Sequence, residues 1–275
     1  MPWLTLPCSP VHPASGPVRL RYREAGAGPP VLLLHGGWGE LAYPWDAALA
    51  ALAPAHRTVA LDRAGYGGSD PLPGPAADLP DDFHLRMAEE TWAALDALGV
   101  GEVALWGHSD GAAVASWAAI IAPRRVRALV LEAAHFLRAK PGSVAFFEDA
   151  VAAPERFGPA VEEALARDHG PRWREVLARG GRAWLRIIEA GRQRGGDLYL
   201  GRLGEILAPT LLLHGRHDPR TEPGELEALQ RALPRARLLS VEAGHCPHAS
   251  QRAGPEGIAG AARFIGEAWA ARPLR

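Results

Sequence analysis

Cysteine is scarce in this 275-residue chain: Cys8 and Cys246 are the only two, and they lie far apart. That leaves no disulfide framework and no paired-thiol motif, so two reduced thiols are expected. Neither sign of charge dominates, with 30 Lys plus Arg against 31 Asp plus Glu. Composition therefore gives no basis for a nucleic-acid groove or a polyanionic partner. Long apolar runs are missing as well. The first residues carry Pro2, Pro7, Pro10 and Pro13 where a basic segment and an apolar run would mark a leader. Neither a signal peptide nor a membrane span is expected, and the cytoplasm is the expected destination. The glycine patterns that cradle nucleotide phosphates are also absent, and no cofactor is expected.

What is present is a hydrophobic fraction of 48%, enough for a substantial core in one large or two small domains. Val18 to Arg23 alternates between apolar and polar residues and reads as a half-exposed strand. Short apolar runs at Val31 to Leu34, Thr58 to Leu61, Val103 to Trp106, Val126 to Leu131, Thr210 to Leu213 and Arg237 to Val241 read as further strands. Helical patterns at Trp45 to Leu52, Asp82 to Leu98, Glu225 to Ala232 and Ile258 to Trp269 separate or follow them. This order predicts an α/β fold with a mostly parallel central sheet flanked by helices. From Phe136 to Leu200 the rhythm breaks. Helical candidates at Ser143 to Ala152, Pro159 to His169 and Pro171 to Ala190 occur there without a convincing strand. Residues 136–200 are expected to form a helical cap, inserted in a core made of residues 1–135 and 201–275.

Polar residues gather where strands end, which is where open α/β sheets build their sites. Gly107-His108-Ser109-Asp110-Gly111 follows one apolar run and precedes a run of small residues suited to a packed helix. That is the setting of a nucleophile elbow. A serine hydroxyl is a poor nucleophile without a base, and the base needs an orienting partner. Asp218 and His245 follow later strands, giving the order Ser, Asp, His that this elbow calls for. Glu132 is the competing acid and reads as a capping or surface carboxylate. His248 is the rival base and reads as lining the entrance or supporting the loop. An oxyanion needs backbone donors, and the expected ones are the N–H groups of Asp110 and of Gly37, within His35-Gly36-Gly37-Trp38-Gly39. His214, His217 and His245 with Asp218 could suggest a metal cluster, but spacing alone does not bring their rings together and no HExxH motif supports zinc. No metal is expected.

These segments carry a resemblance. HGGWG, DRAGYGGSD, GHSDG, GRHDP and GHCPH together resemble the alpha/beta-hydrolase fold superfamily over essentially the whole chain. The resemblance implies an acyl-enzyme hydrolase with Ser109, Asp218 and His245 as its triad. Serine at the elbow centre argues against the haloalkane dehalogenases and epoxide hydrolases of that superfamily, which normally have aspartate there. The Ser-Asp-Gly version is similar to that of biphenyl hydrolase-like proteins of the valacyclovir-hydrolase type, where the acidic residue binds an alpha-amino group. Carried over, that residue is Asp110, with an orienting role in the elbow as the alternative. The expected activity is hydrolysis of small carboxylic esters, alpha-amino-acid esters among them. An aminopeptidase or a carbon–carbon-bond hydrolase on the same fold, and a non-catalytic ligand-binding protein, are the alternatives. The expected partner is a small-molecule acyl substrate, with a homo-oligomer left open. Trp38, Phe136, Trp184, His248 and Asp110 are the expected substrate-binding residues. The arginines at 172, 174, 179, 182, 186, 192 and 194 make the late cap basic and read as a solvated helix face.

Overall fold

The computed structural model describes residues 1–73 and 78–271. Eight strands form one sheet in the order β1-β2-β4-β3-β5-β6-β7-β8. They are β1 (Trp3–Leu6), β2 (Val18–Ala25), β3 (Pro30–Leu34), β4 (Arg57–Leu61), β5 (Val103–His108), β6 (Val126–Glu132), β7 (Thr210–Gly215) and β8 (Arg237–Val241). Antiparallel pairing joins β1 to β2 and β2 to β4, and the remaining pairs are parallel. Strand β1 is absent from the sequence reading. Its alternation, with Leu4 and Leu6 turned inward, lasts only four residues and is framed by prolines.

The central strands are apolar along their whole length because each feeds two cores, side chains alternating between faces. In β3, Leu32 and Leu34 join one core while Val31 and Leu33 join the other. In β5, Val103 and Leu105 face the first core and Ala104 and Trp106 the second. The first core is covered by α2 (Phe83–Ala97) and α3 (Asp110–Ile121), through Met87, Trp92, Val114 and Trp117 among others. The second is covered by α1 (Asp46–Leu52) and α8 (Gly254–Ala270), through Leu49, Leu52, Ile258 and Phe264. Helix α7 (Glu225–Ala232) precedes β8.

Register brings the carboxyl ends of the strands into line. Leu34 pairs with Gly107, His108 with Glu132, and Glu132 with Leu213. The segments after β3, β5, β6 and β7 therefore leave the sheet at one edge. Above that edge, between β6 and β7, stand α4 (Val144–Ala152), α5 (Pro159–His169) and α6 (Trp173–Arg194). This helical insertion is the cap.

Polar contacts clasp the cap to the core. Glu225, at the start of α7, is buried and forms an ion pair with Lys140. Its carboxylate also accepts the backbone N–H groups of Phe136 at 2.8 Å, Leu137 at 3.0 Å and Glu222 at 2.9 Å. The arginine face of α6 is not simply solvated: Arg182 reaches Asp78 at 2.6 Å, Arg186 reaches Asp81 at 3.0 Å, and Arg179 is buried against Glu175. Asp78 and Asp81 come from a distant segment, which composition cannot register, while Glu175 lies one turn away on α6 itself. Removing one member of a buried pair typically costs about 3–5 kcal/mol, because the other charge is left uncompensated. Glu225→Ala is therefore expected to lower the unfolding free energy by about that much, measured by urea denaturation; a loss under about 1 kcal/mol would show that the clasp is not a stabilising element.

Candidate active site

Strand β5 ends in a sharp reversal. Ser109 has φ 55° and ψ −119° and begins α3. A positive φ at a residue other than glycine costs of order 1–3 kcal/mol and persists only where its surroundings enforce it. Here the enforcement is close backbone approach. A Cβ on Gly107 would collide with the carbonyl of Gly111, and one on Gly111 with the carbonyl of Leu34. The two glycines let strand, turn and helix meet, and Ser109 Oγ is left at the edge of the sheet beneath the cap.

Two other strand ends converge on that hydroxyl. His245, after β8, has Nε2 2.9 Å from Ser109 Oγ. Its Nδ1 lies 2.9 Å from Asp218 Oδ1 and 3.0 Å from Oδ2, Asp218 following β7. With two carboxylate oxygens at Nδ1, the proton belongs on Nδ1 and Nε2 is free to accept from the serine. Burial pushes the Asp218 pKa up, but the His245 hydrogen bond and charge outweigh it, and the net shift is downward. Asp218 is thus held as the carboxylate.

A second histidine, not picked out from the sequence, shares the hydroxyl. His135 Nε2 is 3.3 Å from Ser109 Oγ, and its ring stacks on His245 with centroids 5.6 Å apart. Tyr199 donates to the His135 carbonyl at 2.8 Å. The only sequence signal for His135 is its place just beyond β6. Asp110 is buried with Oδ1 accepting from Trp184 Nε1 at 2.9 Å and lying 3.3 Å from His84 Nε2. Its other oxygen would be 2.5 Å from a Cβ on Gly37, so the loop after β3 rests directly on the elbow. Arg63 braces that loop from behind. It is fully buried and donates from Nη2 to the carbonyls of His35 at 2.8 Å and Gly36 at 2.9 Å.

A cavity of about 50 Å³ lies over the serine, with Gly37, Trp38, Asp110 and Trp184 in its wall together with Ser109 and His245. Phe136 and His248 do not line this cavity. Phe136 packs against Tyr199, while Phe146 and Phe147 of α4 supply the cavity's aromatic wall. His248 is buried behind the loop, stacked on Trp45 with centroids 3.9 Å apart. Its Nδ1 and its backbone N–H both meet Glu132 Oε1 at 2.8 Å, and Trp106 donates to Oε2 at 2.8 Å. Glu132 is therefore neither a surface nor a capping carboxylate; it is a buried acceptor for three donors that only the fold assembles.

A sequence profile described as the alpha/beta hydrolase fold matches residues 29–250. The chain belongs to the alpha/beta hydrolase fold family. Over 262 residues it is 29% identical to the pimeloyl-(acyl-carrier protein) methyl ester esterase of Nitrosomonas europaea, covering 86% of this chain and 95% of that protein. It is 35% identical to Epoxide hydrolase 2 of Siraitia grosvenorii over 125 residues, which is 45% of this chain and only 38% of the relative's length. Among solved structures, a thermophilic esterase from Thermogutta terrifontis superposes with a TM-score of 0.73 at 22% identity, covering 98% of this chain and 99% of that one, a likeness of fold.

Among the described residues, no histidine cluster converges around Asp218. His214 Nε2 meets Thr221 at 3.1 Å, and exposed His217 meets Glu242 at 3.0 Å. Among the described residues, His108, Glu132 and Cys246 do bring ligand atoms within 4.8 Å of one another. Glu132 is already committed to His248 and Trp106, and His108 Nε2 is 2.9 Å from the His245 carbonyl. Among the described residues, no helix is long and apolar enough to cross a membrane.

Three buried histidines near the serine resist protonation. Desolvation lowers all three; Arg63 adds to it at His35, and Lys140 at His135. His108 falls to about 3. In the unfolded chain a histidine titrates near 6.5. Below that pH the unfolded chain takes up protons that the folded chain refuses, so stability falls as pH drops, down to about 3 for His108. Each such histidine contributes a slope of up to about 1.4 kcal/mol per pH unit. Glu90 and Asp62, raised by burial, oppose this nearer their own ordinary ranges. The urea midpoint is expected to fall steadily from pH 6.5 to 5, and His135→Gln to make that fall shallower by about one proton. A flat profile would contradict the neutral buried state.

Proposed function

We propose that this hydrolase cleaves small carboxylic esters through an acyl-enzyme on Ser109, with residues 136–200 as the lid that encloses the substrate. The observation that carries the reading is the unbroken relay from Ser109 Oγ to His245 Nε2 at 2.9 Å and from His245 Nδ1 to Asp218 at 2.9 Å. As Oγ attacks the acyl carbon, its proton passes to His245 Nε2. The imidazolium that forms is stabilised by Asp218. The backbone N–H groups of Gly37 and Asp110 are the proposed donors to the oxyanion, each worth about 2.7–4 kcal/mol in the transition state. Collapse of the tetrahedral intermediate breaks the ester C–O bond, and the leaving alkoxide takes the proton from His245. Water, deprotonated by the same nitrogen, then attacks the acyl carbon, and the imidazolium so formed returns that proton to Ser109 Oγ as the acid is released. His135, neutral and beside Oγ, supports the reading as a donor that fixes the hydroxyl's direction. The pimeloyl methyl ester esterase similarity supports ester rather than amide or carbon–carbon cleavage.

The test is labelling by a fluorophosphonate. Ser109→Ala is expected to abolish it and to lower ester turnover by at least about a thousandfold; labelling that survives the substitution would overturn the assignment.

A narrower reading, cleavage of alpha-amino-acid esters, is supported by Asp110. Asp110 is part of the cavity wall. Burial raises its pKa, but the His84 hydrogen bond and charge, Arg63 and Trp184 outweigh that and keep it ionised. Bracing between elbow and cap is supported by the Trp184 and His84 contacts at Oδ1. Asp110→Asn is expected to depress amino esters at least tenfold more than neutral esters under the first role, and both alike under the second.

A further inference from the structure

Arg220 stands two residues beyond Asp218, in the wall of the same cavity as Ser109 and His245. Its backbone N–H donates to Asp218 Oδ1 at 2.8 Å, which fixes where the side chain starts. The side chain then runs to the cap, where the guanidinium carbon lies 4.1 Å from the centroid of the Phe146 ring. The face of an aromatic ring favours a cation and holds the planar group in one orientation. Nη1 is buried, yet among the described residues it has no hydrogen-bond partner. Nor is Arg220 among the arginines that lie within 4.0 Å of an Asp or Glu oxygen. The nearby carboxylates are engaged elsewhere: Asp218 with His245, and Glu222 with the backbone N–H of Gly142 at 3.0 Å.

A buried donor without a partner is rare in folded proteins and calls for an explanation. Fully buried Arg63 gives its Nη2 protons to loop carbonyls and leaves only Nε unmet; Arg220, in the wall of the serine's cavity, leaves Nη1 unmet. A guanidinium offers two parallel N–H donors that match a carboxylate. In a partly enclosed, largely apolar cavity that pairing is less screened than in water.

We infer that Arg220 anchors a carboxylate on the substrate, so that the preferred substrates are short esters carrying a free acid group. This rests on the ester-hydrolase reading and names its substrate class. The cavity, about 50 Å³ and partly open, favours a short chain between the ester carbonyl and the acid.

The test compares monoethyl succinate, whose acid lies on the acyl side, and O-butyrylglycolate, whose acid lies on the alcohol side, with neutral isosteres of each. The expected result is a kcat/KM at least tenfold higher for one acid ester than for its isostere. Arg220→Met removes that preference and Arg220→Lys restores part of it. The arm that shows the preference tells which side of the ester faces Arg220. A wild-type preference under twofold in both arms, or one that persists in Arg220→Met, overturns the inference. If Arg220 only supports the loop, acid and neutral esters lose activity together and the ratio stays put, which also overturns it. Calorimetry with the Ser109→Ala protein reads the acid group without chemistry: monoethyl succinate or O-butyrylglycolate binds and its isostere does not, and adding Arg220→Met abolishes the difference. No turnover of any ester together with no Ser109-dependent labelling would overturn the hydrolase reading itself, and the calorimetric comparison then still decides for or against the carboxylate anchor.

Discussion

The backbone at Ser109 is the constraint on which the rest of the site depends. A serine at φ 55° is held there by a strand that cannot shift, because its apolar side chains alternate between two cores, and by a helix whose first turn presses on Leu34. Relaxing that turn would swing Oγ away from the His245 ring and free the loop that rests on Asp110. Strain is maintained by packing on both sheet faces, and the hydroxyl is aimed in consequence. The parallel register does the remaining work by ending neighbouring strands at one edge, so that residues more than a hundred positions apart come within 2.9 Å.

The cap is tied to this same point. Trp184 from α6 and His84 from α2 both meet Asp110, next to Ser109. His169, at the end of α5, accepts from the Gly67 N–H at 2.9 Å and so donates its Nε2 proton to the Trp38 carbonyl at 3.0 Å. The lid is thereby joined to the loop that borders the serine, not merely laid over it. A movement of α5 or α6 would be felt at Trp38 and Asp110 first, which would couple the cap to the geometry of the proposed oxyanion donors.

Much of this was legible because it is written locally. Apolar runs bounded by glycine and proline mark β3 to β8, and strand-end motifs named Ser109, Asp218 and His245, which the fold brings into one hydrogen-bonded chain. Local pattern fails where a partner comes from far away. Glu132 looks like a surface acid until Trp106 and His248 supply its donors, and His135 looks like an ordinary residue until the elbow turns Oγ toward it. Phe136 and Phe146 are chemically equivalent in sequence; only the path of α4 decides that Phe146 faces the cavity and Phe136 faces Tyr199. Arg220 shows no signal at all, since its meaning lies in what is absent around it.

The central claim is that Ser109 becomes acylated during turnover. The most direct measurement is acid quenching during turnover of an activated ester, followed by intact-mass analysis and peptide mapping. A mass gain equal to the acyl group, confined to the peptide holding Ser109 and lost in Ser109→Ala, is the predicted result. Turnover at the same rate with no acylated protein under any quench time, or acyl carried by another residue, would contradict the account.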